Sequence, residues 1–423
     1  MQSYRLGEVF IAGGEPTVTY NPREDVALEA ALEDYLDAPY RILSVTGPTK
    51  SGKTVLCRKV IPEQQRILIS GGDISDEEDF WSQIIDELHA PTQFRETIGS
   101  SQDTSVRFTG QTKFSWLLPF SFGGSRERTR SDDSKTARTI VRNAKKAAIE
   151  GIQEENRILV VDDFHYIDKE TQRRIILSLR TPIFEGLRVI FLAVPHRGFD
   201  VERAEPDMAG RVEQLEVPSW KNEELEHIAE EGFKALNIDP NSNMFSQFAK
   251  NSFGNPNLMQ ELCRKICSRK GIRKTSPTTV DIRMSRYESF FEEEAKPNYD
   301  LKKIISDFNS SRKERVTRKL EFEGREIDGD VYSVLFLSIR GILPNKDIRF
   351  EKIVDEVEGV CIDDAPKPHE ISRALSRMHE IANKDPTRPH ILEWDSEIKE
   401  LHVMDAKFAF FLKWGDLDAI DLV

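Results

Sequence analysis

Gly47-Pro48-Thr49-Lys50-Ser51-Gly52-Lys53-Thr54 is the stretch on which the reading of this chain turns. It fits G-x-x-x-x-G-K-[ST], a loop whose glycines let backbone N–H groups face inward around phosphate oxygens. The apolar run Ile42-Leu43-Ser44-Val45-Thr46 just before it predicts a buried strand, and Val55 to Val60 predict the opening of a helix. Strand, loop and helix in that order are the context the pattern needs. The helix N-terminus adds positive potential. Residues Gly47 to Val55 are therefore expected to wrap a nucleotide, with Lys53 reaching the outer phosphates and the Thr54 hydroxyl on Mg²⁺.

A second pattern completes the expectation. Ile158-Leu159-Val160-Val161-Asp162-Asp163 reads as a buried strand that ends in two carboxylates. Asp162 is expected to hold Mg²⁺, an ion that keeps its waters and recruits few carboxylates. Asp163, one step on, faces elsewhere and is placed to polarise an attacking water. The bland alternative is a pair of solvated acids capping the next turn.

Working outward, Arg66 to Ser70, Leu187 to Val194 and Val212 to Val217 predict three more strands. Leu28, Leu32 and Leu36 share one helical face, as do Phe80, Trp81, Ile84, Ile85 and Leu88. Strands alternating with helices imply crossover connections and a mainly parallel sheet. The stretch 92–135 breaks this rhythm with Ser, Thr, Gly and Arg around an aromatic run from Phe114 to Phe122, and predicts a peripheral hairpin or insertion. Residues 219–275 read as helical, 276–329 as a Ser- and charge-rich connector, and 330–423 as three helices followed by a two-stranded wing and a last helix capped by Asp405. The first compartment is thus 1–218 and the last a winged-helix domain.

Taken together, the motifs resemble those of the AAA+/STAND superclass, and the resemblance spans nearly the whole chain. It implies an α/β class fold: a P-loop NTPase parallel sheet of the additional-strand type, then a helical lid and a winged-helix domain. It also implies an ATPase using ATP and Mg²⁺. Asn21-Pro22-Arg23-Glu24 is similar to the family's element beside adenine, which assigns Arg23 to the base. Gly254-Asn255-Pro256 resembles the G-x-P laid against it, which assigns Pro256. Arg211 stands where such proteins put an arginine that completes a neighbour's site, and arginine suits charge on a transferred phosphoryl group. His196, at the end of a strand, resembles a sensor position. Initiator-type relatives carry a lid arginine where this chain has Pro256-Asn257, which weakens the initiator reading and favours STAND. Asp163 replaces a common glutamate, and the shorter acid implies slow turnover, more switch than motor. His402 to Asp405 invites comparison with a Met-His-Asp element, but the spacing differs and a structural histidine is the simpler reading.

Composition sets the bounds. With 423 residues, 38% hydrophobic and 31% charged, the chain supports several real cores. No apolar run approaches membrane-spanning length, no leader-like segment follows Met1, and four unpatterned cysteines point to a reducing cytosol. A cytoplasmic, non-membrane protein is expected. A net charge of −13 argues against wholesale nucleic-acid coating. Basic patches at 264–274 and 302–319 read as solvated helix faces or phosphate contacts. The functional expectation is a signalling switch whose nucleotide state controls assembly of a homo-oligomer or engagement of a separate effector protein. The resemblance implies bacterial antiphage defence. The alternative is a DNA-binding AAA+ regulator of initiator or transposition-helper type using helix 369–379. Against it, that helix offers only Arg373, Arg377 and two histidines, and the wing is acidic at Glu393, Asp395 and Glu397, which favours intramolecular packing. A non-hydrolysing scaffold that keeps ATP as a structural ligand is the third.

Overall fold

Five strands form one parallel sheet: β1 (Ile42–Thr46), β2 (Arg66–Ser70), β3 (Ile158–Asp162), β4 (Val189–Ala193) and β5 (Val212–Glu216). Their order is β2-β3-β4-β1-β5. The computed structural model describes residues 2–88, 133–194, 210–241, 243–297, 299–310, 316–385 and 390–417. The sheet is buried on both faces at its central strands β1, β3 and β4, which is why these read as unbroken apolar runs instead of alternating ones. Leu159 and Val161 of β3 pack on one face with Phe80, Trp81 and Ile84 of helix Glu77–Glu87 and with Ile175 of helix Lys169–Phe184. Val160 packs on the other face with Leu32 and Tyr35 of helix Leu28–Asp37 and Leu56 and Cys57 of helix Lys53–Val60. Each fully buried Leu, Ile, Val or Phe contributes about 1.5–3 kcal/mol, so the paired faces fix the register firmly.

That register matters for chemistry. Ser70 lies opposite Asp162, and Thr46 opposite both Ala193 and Glu216. The C-terminal ends of β1, β2 and β3 therefore open on one edge, and β4 stands between β1 and β3. The interposed strand is the additional strand expected of this fold class.

The chain forms two compact units. One comprises 24–47 and 52–217; the other comprises 1–23, 48–51 and 218–423. In the second, helices Asn222–Ala235, Met244–Lys250 and Pro256–Arg269 follow one another, with a short parallel pair Ile238–Pro240 and Val280–Ile282 that the helical reading of 219–275 lacks. The segment read as a connector is folded. It contributes helices Tyr287–Glu294 and Tyr299–Ser310 and the antiparallel hairpin Arg318–Phe322/Arg325–Gly329. Phe290, Phe291, Leu301, Ile304, Ile305 and Phe308 are all buried there. Their apolar spacing is diluted in sequence by the intervening charges.

Helices Val331–Ile342, Phe350–Val360 and Pro368–Ala382 occupy the places read from sequence. Strands Leu392–Asp395 and Glu400–Val403 pair antiparallel, and a third short strand, Asp347–Arg349, joins the second of them. His402 Nδ1 lies 2.8 Å from Asp347 Oδ1 across that added pair, and this contact holds the histidine's pKa above its usual value. Helix Ala406–Trp414 closes the unit: Phe291 meets Phe410 and Trp414, and the Trp414 indole donates to Asn251 Oδ1 at 2.7 Å. Among the described residues, no helix is long and apolar enough to cross a membrane.

Candidate nucleotide site

The loop after β1 needs backbone that most residues avoid. Lys50 has φ +61° and Gly52 φ +104°. Nothing would crowd a Cβ at Gly52, so its glycine answers to the left-handed dihedral and not to space. The helix starts immediately afterwards at Lys53. Gly47, Ser51 and Lys53 are buried, Pro48, Thr54 and Val55 are half-buried, and Thr49 and Lys50 are exposed. Ser51 Oγ is buried without a hydrogen-bond partner, an unspent donor inside a loop built to receive oxygens.

Lys53 Nζ donates to the Gly47 carbonyl at 2.9 Å. Burial pulls its pKa down to about 8, against the opposing pull of Asp162 and Asp163. A lysine held this way gains most from an anion that replaces its lost hydration. Thr54 Oγ1 donates to Asp162 Oδ2 at 2.6 Å, and Asp162 Oδ1 accepts the Asp163 N–H at 2.9 Å. The two oxygens closest to the loop thus lie side by side, which suits Mg²⁺, a cation that takes few protein ligands and retains water. Asp163 sits at φ +52° and starts the 3₁₀ turn Phe164–Tyr166. Cys57, one turn into the helix, has its thiol pushed up to about 12 by burial, so it is packing and not a nucleophile.

Outside this cluster the sequence-selected residues fare differently. Arg23 is buried and committed. Its Nε donates to Glu224 at 2.9 Å, its two terminal nitrogens donate to the carbonyls of Pro218 and Ser219, and its guanidinium lies 4.8 Å from the Trp220 ring. It clamps the start of helix Asn222–Ala235. Gly254-Asn255-Pro256 forms a helix start: Gly254 has φ +69°, Asn255 caps by accepting the Leu258 N–H, and Pro256 takes the first turn. Arg211 precedes β5, where its carbonyl accepts the Ile42 N–H, and its guanidinium lies 5.9 Å from the Phe184 ring. It is at the opposite end of the strands from Thr46, about 16 Å away at an ordinary strand rise. Within one copy it does not join Lys53, Thr54 and Asp162. His196 and most of the 92–135 stretch lie outside the described residues. In helix Pro368–Ala382, Arg377 is paired with Glu380.

Three participants escape the motifs. The Trp220 indole donates to the Ser51 carbonyl at 2.8 Å, and Lys50 Nζ lies 3.7 Å from Asp405 Oδ2, all four residues belonging to the same compact unit. Asp405 also accepts the Phe408 N–H as helix cap. Gly71, just past the end of β2, leaves no room for a Cβ beside the backbone of Asp163. Asp405 is legible in the sequence only as a helix cap, and nothing there ties any of the three to the loop or to Asp163.

The core has the fold of a P-loop NTPase. Lys53 and Thr54 at the start of the helix after β1, the parallel sheet with β4 set between β1 and β3, and the carboxylate that ends β3 meet on one edge as that fold requires. No family model matches the sequence, and no curated protein matches it. Among solved structures the chain is similar to a Walker-type ATPase of Pyrococcus abyssi, at 15% identity and TM-score 0.48 over 93% of this chain and 96% of that one. It is also similar to the ORC2 protein of Aeropyrum pernix, at 12% and 0.47 over 98% and 97%. A STAND protein with a tetratricopeptide repeat sensor from Pyrococcus horikoshii gives 16% and 0.35 over 97% of this chain and 45% of its own. Likeness at this level carries no chemistry, which rests on the residues themselves.

Proposed function

We propose that the chain binds and hydrolyses ATP with Mg²⁺ and works as a switch of AAA+/STAND type. The observation that carries this reading is the convergence of Lys53, Thr54 and Asp162 at the edge of β1 and β3, with Thr54 and Asp162 in direct contact. Bound Mg²⁺ supplies charge neutralisation at the phosphates. The chain's own residues do the rest. Loop amides and the Lys53 ammonium hold the phosphate oxygens, Thr54 and Asp162 hold the metal, and Asp163 accepts hydrogen from the attacking water.

A switch needs ATP to favour one arrangement of the chain over another by several kcal/mol. In this reading ATP favours a homo-oligomer, which engages a separate effector chain, and hydrolysis resets it. Arg211 serves only a neighbouring copy's site. The winged-helix reading of 330–423 is supported by three helices and a three-stranded antiparallel sheet, whose strand Asp347–Arg349 lies between the first two helices and whose other two strands follow the third. The pairing of Arg377 with Glu380 lowers the free positive charge that the third helix offers to phosphates, which weighs against DNA contact. A role in antiphage defence in the cytoplasm extends the reading on the resemblance alone.

The test is Lys53→Ala, followed by ATP titration and by mass photometry with ATP, with ADP and without nucleotide. The variant is expected to lose ATP binding, and the wild type to change its assembly with nucleotide. Unaltered ATP binding by the variant would end this proposal.

A further inference from the structure

Asp163 is held from three sides, and one side is a missing side chain. Its N–H donates to Asp162 Oδ1 at 2.9 Å and its carbonyl accepts the Tyr166 N–H at 2.9 Å. Its φ of +52° is one that residues with a Cβ seldom adopt. The third side is Gly71, where the chain leaves β2 beside β3. A Cβ on Gly71 would stand 2.5 Å from the Asp163 carbonyl oxygen, 2.9 Å from its carbonyl carbon and 3.1 Å from the Asp162 carbonyl oxygen. All three are backbone atoms, so no side-chain rotation relieves the clash. The peptide of Asp163 would have to move.

Gly71 itself has no left-handed φ, so its own backbone accepts alanine and space is the only obstacle. Gly72 provides the contrast. A Cβ there meets only Ser70 Oγ, at 3.6 Å, an ordinary contact. The two adjacent glycines in one turn thus differ in their surroundings: Gly71 is buried with no room for a Cβ beside the backbone that carries the second carboxylate, and Gly72 is exposed.

We infer that Gly71 is a positioning residue for Asp163, allowing the end of β2 to seat the Asp163 peptide so that its carboxylate is aimed at the reacting water. The inference rests on the hydrolytic reading of the site given above. Gly71 touches neither nucleotide nor water in this account; it acts through Asp163.

The experiment compares wild type, Gly71→Ala, Gly72→Ala, Asp163→Asn and the Gly71→Ala/Asp163→Asn double variant. The measurements are ATP turnover and binding of a fluorescent ATP analogue. Small displacements of a reacting group cost up to about a hundredfold in rate. Gly71→Ala is expected to lower kcat about tenfold or more with analogue affinity within about threefold of wild type. Gly72→Ala is expected to match wild type. In the Asp163→Asn background the alanine should cost nothing further, because the group it displaces is already disabled. Unchanged turnover in Gly71→Ala would overturn the inference. So would loss of analogue binding, or a further tenfold loss on top of Asp163→Asn, since each marks a general structural role. A wild type that binds the analogue yet turns over no ATP would overturn the hydrolytic reading, and this inference with it.

Discussion

The Thr54 hydroxyl donates a 2.6 Å hydrogen bond to Asp162 Oδ2, so the phosphate loop and the third strand of the sheet are joined by the two side chains that would share a metal. Thr54→Val keeps the shape and removes the oxygen. Its Mg²⁺ requirement for ATP binding is expected to rise about tenfold, in line with the usual cost of weakening a metal's protein shell. Titrating Mg²⁺ at fixed ATP checks this, and a dependence identical to wild type would refute the shared-metal role.

Lys53 sets a pH signature. Its pKa of about 8 against an ordinary 10.5 leaves it largely neutral above pH 8 in the unliganded fold. A triphosphate bound there must then bring a proton with it, so affinity should fall by up to about tenfold per pH unit above this point. The unliganded fold responds the other way. Between pH 8 and 10.5 the unfolded chain holds the proton more tightly, so folding stability rises with pH in that window while ATP affinity declines. Calorimetric titrations in buffers of different ionisation enthalpy should show proton uptake at pH 8.5 and little at pH 6.5.

Asp163→Asn preserves the size of the side chain and its tolerance of positive φ. The expected result is ATP binding like wild type with single-turnover hydrolysis slowed about a hundredfold, the low end of what a positioned base contributes. Equal hydrolysis rates would remove Asp163 from the chemistry.

Arg23 is expected to matter more for stability than for the adenine base. Its side chain is only 3% exposed, and alanine would strand Glu224 and the carbonyls of Pro218 and Ser219. Loss of such a buried pair costs about 3 kcal/mol. Lysine should recover only part, because an ammonium cannot reproduce the planar fork that serves three acceptors. Urea denaturation of the two variants would measure both effects.

The sheet was legible because its central strands β1, β3 and β4 are buried on both faces, and short unbroken runs such as Ile158 to Val161, bounded by charged or turn residues, fit such strands. The loop was legible because Gly52 and Lys53 are fixed by dihedral and charge. Less was visible where the cause lies between distant segments. Asp347–Arg349 has a single buried residue, Ile348, and its strand exists through pairing with Glu400–Val403. The helices at 287–294 and 299–310 were hidden by charged residues that share their turns. Arg23 was assigned to a ligand by resemblance, whereas its three protein acceptors lie some two hundred positions away in sequence. Gly71 reads as the end of a strand until the approach of Asp163 is known.

The distribution of sulfur offers a practical handle. Cys57, Cys263 and Cys267 are buried, and only Cys361 is partly accessible, at the close of helix Phe350–Val360. Burial also holds the Cys361 thiol above its normal range, so mildly alkaline conditions would favour alkylation. A maleimide dye applied to the native chain should therefore attach at one position, remote in sequence from the phosphate loop, and report on rearrangements without any cysteine having to be engineered away.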